Sequence, residues 1–523
     1  MRRQWYIAFG VVLIFIFLMF VMFESINWFF IFLSPILLLW IYDLLQRQHT
    51  ILRNFPVLGH VRYLLEFIRP EIQQYFIASD QSELPFNREI RSLIYQRAKN
   101  VRDTIPFGTE QDILKIGYTW ALHSMDAKHS SEVDERILVG GPDCKQPYSA
   151  SRLNISAMSF GSLSAKAIMA LNKGAQIGRF AHNTGEGGLS VYHLQGGDII
   201  FQIGTGYFGC RHEDGSFNPD EFATEAARKE VKMIELKLSQ GAKPSHGGIL
   251  PAAKLTKEIA LARKVPMGED VRSPINHSAF SNPIGLLEFI KKLRDLSGGK
   301  PVGFKLCLGI QTEFLAICKA MLKTNIYPDF ITVDGAEGGT GAAPIEFTNY
   351  VGTPIEPGLI FIHNALVGIN ARDKIRLICS GKITNGFDLV TYIALGADMC
   401  NSARAMMMAT GCLQTKQCNA NTCPTGVATQ SKRLQYGLVV NEKKVQIANF
   451  HRNTIKSFLE IVGSLGLSNP DELKPYHLMR RVGINQVKTL AEIYDHLEPG
   501  QLLGPDIPET FKKYWELADP EKF

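Results

Sequence analysis

The pattern of apolar and polar positions changes three times along the chain. Two nearly unbroken apolar segments open it, a polar and aromatic stretch follows, and from about residue 150 to 430 short apolar runs alternate with segments of helical character. The runs include LNISAMSF (153–160), PVGFKLCLG (301–309), DFITVDG (329–335), IRLICSG (375–381) and ADMCNSA (397–403). Such alternation predicts parallel β-α-β units. Most runs end in Gly, Ser or Asp, as loops on the catalytic face of a barrel require. The expected fold class is therefore α/β, a TIM-type (β/α)8 barrel over 131–430. A doubly wound sheet is the alternative. It is disfavoured because no G-x-G-x-x-G follows a first strand with an acidic residue about twenty positions on.

The flanks read differently. Residues 5–23 carry no charge, and 26–45 carry only Asp43. Roughly 20 apolar residues span a bilayer. Glu24 and Ser25 mark a tight turn, with Arg2 and Arg3 before the pair and Arg47 and Arg53 after it. This predicts a transmembrane helical hairpin over 1–45 with both ends cytoplasmic, on a bacterial inner membrane. A cleaved signal peptide fits less well, because the apolar stretch is long and no small-residue cleavage site follows. Neither segment has the polar face of an interfacial helix. Residues 46–130 read as a helical connecting region without chemistry. Residues 431–523 read as a C-terminal helical extension, since Ile447, Phe450, Ile455, Phe458, Leu459 and Val462 recur at helical spacing.

Composition narrows the class. At 523 residues the chain can hold more than one domain. Its net charge of +6 comes with no dense Lys/Arg run interleaved with aromatics, so nothing favours nucleic acid. The nine cysteines follow no secreted-scaffold spacing. Cys144, Cys210, Cys307, Cys318, Cys379 and Cys400 read as small buried hydrophobes.

The other three are set at C-x5-C-x4-C in the loop 411–424, as Cys412, Cys418 and Cys423. Three thiolates on one short loop suit a cluster with three protein ligands, such as 3Fe-4S. Structural zinc and four-iron clusters usually need a fourth ligand; no cysteine supplies it nearby, and His451 is the first histidine downstream. A disulfide plus a spare thiol is the plain alternative. Just upstream, SGKITNG (380–386) and NSARAMM (401–407) are strand-to-helix turns of the kind that hold the phosphate of flavin mononucleotide (FMN) after the seventh and eighth strands of a barrel. Gly381, Lys382 and Gly386 fit the first turn, and Ala403 and Arg404 the second. Lys305 lies inside an apolar run, where its charge would face the flavin N1–C2 edge; a strand-end lysine reaching solvent is the plain reading. The run DGAEGGTGAAP (334–344) with Gly338, Gly339 and Thr340 is too glycine-rich for simple packing and suits close approach to a planar or anionic ligand.

At this point the motifs match a family. SAMSFGSLS (156–164), NTGEGG (183–188), QGAKPSHGG (240–248), GAEGGTGAAP (335–344), SGKITNG (380–386) and CNANTCPTGVATQ (418–430) occur in that order. The segment 150–430 resembles the FMN-binding synthase domain of glutamate synthases, and the chain looks like a stand-alone member of the FMN-binding glutamate synthase family. The resemblance implies FMN and a 3Fe-4S cluster. It further implies reduction of 2-iminoglutarate to L-glutamate, with Ala157, Met158 and Ser159 cradling the flavin and Glu186, Gln240, Lys243 and Arg263 facing the 2-oxo acid. For each of these four, an ordinary surface polar residue is the plain alternative.

Three departures follow. No N-terminal cysteine or glutaminase domain is seen, so ammonia or an amine is expected from elsewhere, and glutaminase activity is not expected. His246 stands where the family has glutamate, and Ile249 where it has glutamine, which removes a polar contact at the keto acid. No long C-terminal β-helix or pyridine-nucleotide domain follows. The expected partners are a 2-oxo acid, ammonia or an amine, and an electron donor, either ferredoxin or an NAD(P)H-oxidising protein. Two other readings remain. One is a membrane-docked electron-transfer subunit without an amino-acid substrate. The other is an anchored assembly component with a structural cofactor.

Overall fold

Eight short strands, each followed in sequence by its hydrogen-bonded neighbour, close on themselves in the computed structural model. They are β1 Leu153–Ile155, β2 His182–Asn183, β3 Ile199–Ile203, β4 Val231–Lys237, β5 Val302–Leu306, β6 Phe330–Asp334, β7 Arg376–Ser380 and β8 Met399–Ser402. All are parallel, and β8 pairs with β1 to complete the ring. This is the expected TIM-type barrel, and its closure excludes the doubly wound sheet. Strands β3 and β5 are buried at every position, as a parallel sheet covered on both faces requires.

The structure describes residues 14, 27–101, 103–129 and 135–523. The chain divides into two units, Met1–Glu89 and Ile90–Phe523. In the second unit an antiparallel hairpin, Arg136–Val139 with Tyr148–Ser151, precedes the barrel. Its Ile137, Val139, Tyr148 and Ala150 join one apolar cluster with Ala181, Ile200, Met233, Phe330, Ile378 and Met399. Several of these stand at or near strand starts, so the hairpin plugs that end and leaves the C-terminal ends for chemistry. Between plug and mouth lies a polar layer. The fully buried Glu235 accepts from Asn183 Nδ2 at 2.7 Å, Gln202 Nε2 at 2.6 Å and Thr332 Oγ1 at 2.6 Å. A buried carboxylate needs such donors, and these tie β2, β3, β4 and β6 together.

The periodic run after the cysteines forms the helix Val440–Ser464, which packs against the helices Ala165–Gly178, Gly386–Ala394 and Arg404–Thr410. The remaining C-terminal segment differs from the expected helical extension. Leu478–Gly483 and Gln486–Thr489 form an antiparallel pair, and Thr119–Ala121 adds a third strand. The period-two pattern of MRRVGINQVKT, turning at Gly483, outweighs the helical signals around it.

The first unit corrects the membrane reading. Of the first expected span, 5–23, only residue 14 is among the described residues. The second is the helix Asn27–Leu45, with Pro35 inside it. Among the described residues no helix is long and apolar enough to cross a membrane. The transmembrane hairpin and the inner-membrane location are therefore withdrawn. Asp43, the lone charge of that segment, shows why its end is packed against protein. It is fully buried, accepts the Val57 N–H at 2.8 Å, and pairs with His60 Nε2 at 3.0 Å.

Candidate active site

The loops leaving the strand ends carry most of the residues singled out from the sequence. Ala157, Met158 and Ser159 follow β1, with Met158 and Ser159 buried. The loop after β2 crosses this segment at contact distance. A Cβ on Gly185 would stand 2.8 Å from the Ser159 backbone nitrogen, and its φ of +65° is one that side chains rarely adopt. Gly185 and Gly188 are thus required by backbone approach, Gly187 by the Ser159 and Arg263 side chains, and the loop delivers Glu186 to the mouth.

Glu186 pairs with one cation and lies in the field of two more. Lys237 Nζ, at the end of β4, lies 3.1 Å from its Oε1, with side chains 10% and 15% exposed. Burial pushes the Glu186 carboxyl up, but Lys237, Arg263 and Lys243 outweigh it and hold the group below its usual range. Burial pulls the Lys237 ammonium down more than Glu186 raises it. Lys243 is 2% exposed and is pulled down by burial and then by Lys237. Its ammonium has no ion-pair partner among the described residues. Arg263 is lowered to about 10 by burial, against Glu186. It donates to Ser159 Oγ at 3.2 Å and Phe160 O at 3.4 Å, while its buried Nε has no partner among the described residues. Three cations against one carboxylate leave two positive charges uncompensated at these strand ends. Gln240, in the loop after β4, is half-buried.

The altered loop closes on the same carboxylate. Gly248 lies so near Glu186 that a Cβ there would collide with Oε1. Ile249 begins a two-residue strand paired with Val271–Arg272, and Ser273 Oγ donates to Glu186 Oε2 at 3.4 Å. His246 instead packs edge-on against Phe347 at 5.2 Å.

The other residues expected at the cofactor follow on β5 and on the loops after β6, β7 and β8. Lys305, on β5, is 3.7 Å from Asp334, which also accepts the Gly241 N–H at 3.0 Å. Gly338, Gly339 and Thr340 lie in the loop after β6; a Cβ on Gly339 would stand 2.8 Å from the Arg404 side chain. Arg404 donates to Glu337 O at 2.8 Å. Lys382 is drawn down by burial and then by Arg404, so the loops after β7 and β8 bring two cations together. Gly381 is buried against Ile355, and Ala403 precedes the helix Arg404–Thr410. Gly386 has a separate reason to be glycine, because a Cβ would stand 2.6 Å from the Phe458 nitrogen. The first N–H groups of its helix are taken by Asn385 and Asp388 in a capping box. The paired cations and the buried Asn401 Oδ1 on β8, without a partner among the described residues, fit a phosphorylated, hydrogen-bonding ligand such as FMN.

All three loop cysteines are free thiols. Burial pushes Cys412 up to about 11, with Cys418 and Cys423 adding to it. At Cys423 burial raises the thiol, but hydrogen bonds from Thr425 and from backbone at Ala428, Thr425 and Val427 outweigh it and lower it. Mutually repelling thiols with N–H donors aimed at one sulfur fit thiolate ligation of a cluster. Among the described residues no group of three or more His, Cys, Asp or Glu is gathered as a single ion would need. His451 is no fourth ligand: it stacks on Phe180 and bonds Ser151 Oγ at 2.9 Å.

The sequence reading missed Lys237 and Lys254. Lys237 ends the run VKMIELK as Lys305 sits in VGFKL, and the two are opposite in register. Lys254 is 4% exposed, reaches three carbonyls, and is lowered to about 8 by burial.

A family model described as a conserved region in glutamate synthase matches residues 103–468. The chain belongs to the glutamate synthase family. By family it is a glutamate synthase-like oxidoreductase. The large subunit-like protein YerD of Bacillus subtilis (strain 168) is 37% identical over 489 residues, covering 85% of this chain and 93% of that protein. An archaeal-type glutamate synthase (NADPH) of Thermotoga neapolitana is 32% identical, over 63% of this chain and 62% of its own length. A solved mandelate oxidase with an FMN monooxide adduct has a TM-score of 0.42 at 13% identity, over 82% of this chain and 99% of that one. A likeness of that degree says nothing of what this barrel holds.

Proposed function

We propose that this chain is an FMN- and 3Fe-4S-dependent synthase barrel that reduces an imine of the 2-iminoglutarate type to L-glutamate, or to an N-substituted glutamate. Ammonia or an amine comes from elsewhere, and electrons come from a ferredoxin or an NAD(P)H-oxidising partner. The observation that carries the reading is the charge balance at the mouth. Two uncompensated cations match the two carboxylates of a five-carbon 2-oxo diacid, and a monocarboxylate would leave one cation unpaired.

When bound, FMN supplies the hydride and the cluster supplies electrons one at a time. The chain's own residues do the rest. Lys243, without a partner of its own, takes one carboxylate; Arg263, with its free buried Nε, takes the other, in the fork geometry suited to it. Glu186 is held ionised by the charges of Lys237, Arg263 and Lys243. Its part is to accept the N–H of an iminium and counter its charge. An iminium already carries the proton that the amine keeps, so no donor is needed as its carbon is reduced. Lys237 holds the Glu186 carboxylate in place. Lys305, Lys382 and Arg404 supply charge for the flavin ring and phosphate.

The test is an anaerobic screen. Chemically reduced protein is mixed with 2-oxo acids of one and two carboxylates, with ammonium or methylamine. Flavin reoxidation by the five-carbon diacid, faster than by monocarboxylates, supports the reading. Reoxidation indifferent to the acid sinks it.

A further inference from the structure

The cysteine loop is tied to the loop after β1 by hydrogen bonds that converge on one cation. Lys254 Nζ donates to Ser162 O at 2.8 Å, Cys418 O at 3.2 Å and Ala428 O at 3.3 Å. Ser162 lies three residues beyond Ser159, so the first bond reaches the segment expected to cradle the flavin. The other two reach residues on either side of Cys423. All three ammonium protons are therefore matched, as burial of the group demands.

The charge itself is another matter. No carboxylate pairs with Lys254 among the described residues, although neutral donors already join the same segments. Gln430 Nε2 donates to Gly161 O at 3.1 Å and Leu163 O at 3.0 Å, Asn421 Nδ2 to Ala253 O at 3.1 Å, and Ser164 N to Val427 O at 2.9 Å. A tie alone would need no cation. A buried positive charge without a carboxylate calls for a negative counterpart nearby, and three thiolates holding a cluster provide one. This rests on the reading of Cys412, Cys418 and Cys423 as cluster ligands.

We propose that Lys254 is a positioning residue that clamps the cysteine loop beside the loop after β1 and, by its charge, favours the reduced cluster. On reduction the cluster gains one electron and no bond breaks. A fixed cation close by stabilises the added charge. Lys254→Met keeps length and packing and removes the charge, while the Gln430, Asn421 and Ser164 ties hold the loop.

The experiment is a redox titration of the holoprotein with dithionite and mediator dyes. The cluster is followed by low-temperature EPR, and hydrogen exchange over residues 412–430 is measured in parallel. Lys254→Met should disfavour the reduced cluster at least tenfold, a fall in midpoint of about 59 mV for a one-electron couple. Lys254→Arg should restore the parent midpoint. If Lys254→Met does not accumulate, Lys254→Gln carries the same test with two donors kept. A parent that holds iron and gives the cluster signal, with an unchanged midpoint in the neutral variant, overturns this inference alone. A parent without any cluster signal after anaerobic reconstitution overturns the cluster reading, and the inference with it.

Discussion

Replacing Lys243 by Met separates what the site needs from what the fold needs. The side chain is 2% exposed, and burial and then Lys237 disfavour its charged form. In the ligand-free protein the substitution should therefore cost nothing and raise thermal stability slightly. The pH dependence follows from the direction of the shift. The unfolded lysine holds its proton to a higher pH than the folded one. The unfolded state thus binds more protons between the two values, and stability rises with pH there. The penalty is complete below the lowered folded value and gone above the ordinary 10.5. Lys243→Met should abolish that rise. Binding should move the other way. Losing one hydrogen bond to a charged group costs about 1.5–3 kcal/mol. That is roughly ten- to hundred-fold in affinity for a dicarboxylate. Calorimetric titration of oxidised protein with 2-oxoglutarate, beside thermal melts across alkaline pH, reads both. Unchanged affinity together with a lower melting point would refute the reasoning, because Lys243 would then be structural.

The remaining expectations concern its neighbours. Ile249→Gln should tighten 2-oxoglutarate roughly ten- to hundred-fold by restoring one polar contact beside Glu186; a parent-like or weaker constant places Ile249 outside the pocket. Lys237→Met should cost about 1.5–3 kcal/mol in denaturant unfolding, since it removes the contact ion pair of the Glu186 carboxylate and leaves it to the more distant Lys243 and Arg263. Adding Glu186→Gln should recover most of that loss, and a double variant as unstable as the single one would show that the pair is not coupled. Cys418→Ser should remove the low-temperature EPR signal of a three-iron cluster while the flavin absorbance stays; a retained signal would exclude Cys418 as a ligand.

Much of this was legible locally. The apolar runs with their Gly, Ser and Asp ends gave the strands, because burial on both faces of a parallel sheet leaves a continuous apolar signature. The spacing from Ile447 to Val462 marks a face of the helix Val440–Ser464. Other features depend on partners far off in sequence. Lys237 looks like any lysine at a strand end until β4 lies beside β5 and Glu186 arrives from the loop after β2. Lys254 matters only because residues 162, 418 and 428 converge on it. The apolar segment ending at Leu45 misled, since hydropathy cannot show that the buried Asp43 meets a half-exposed His60. Gly386 satisfied a motif, yet its contact with the helix at Phe458 explains it without a ligand.

The central claim is that the charged mouth takes a five-carbon 2-oxo diacid and that this barrel makes the amino acid from it. The most direct measurement is a single turnover. Anaerobically reduced protein is mixed with 2-oxoglutarate and isotopically labelled ammonium, and the product is identified by mass spectrometry as the flavin absorbance returns. The account expects labelled glutamate in proportion to flavin reoxidised, with neither change when ammonium and amines are omitted. Flavin that stays reduced with every 2-oxo acid and amine, yet is reoxidised at once by a protein electron acceptor, would contradict it.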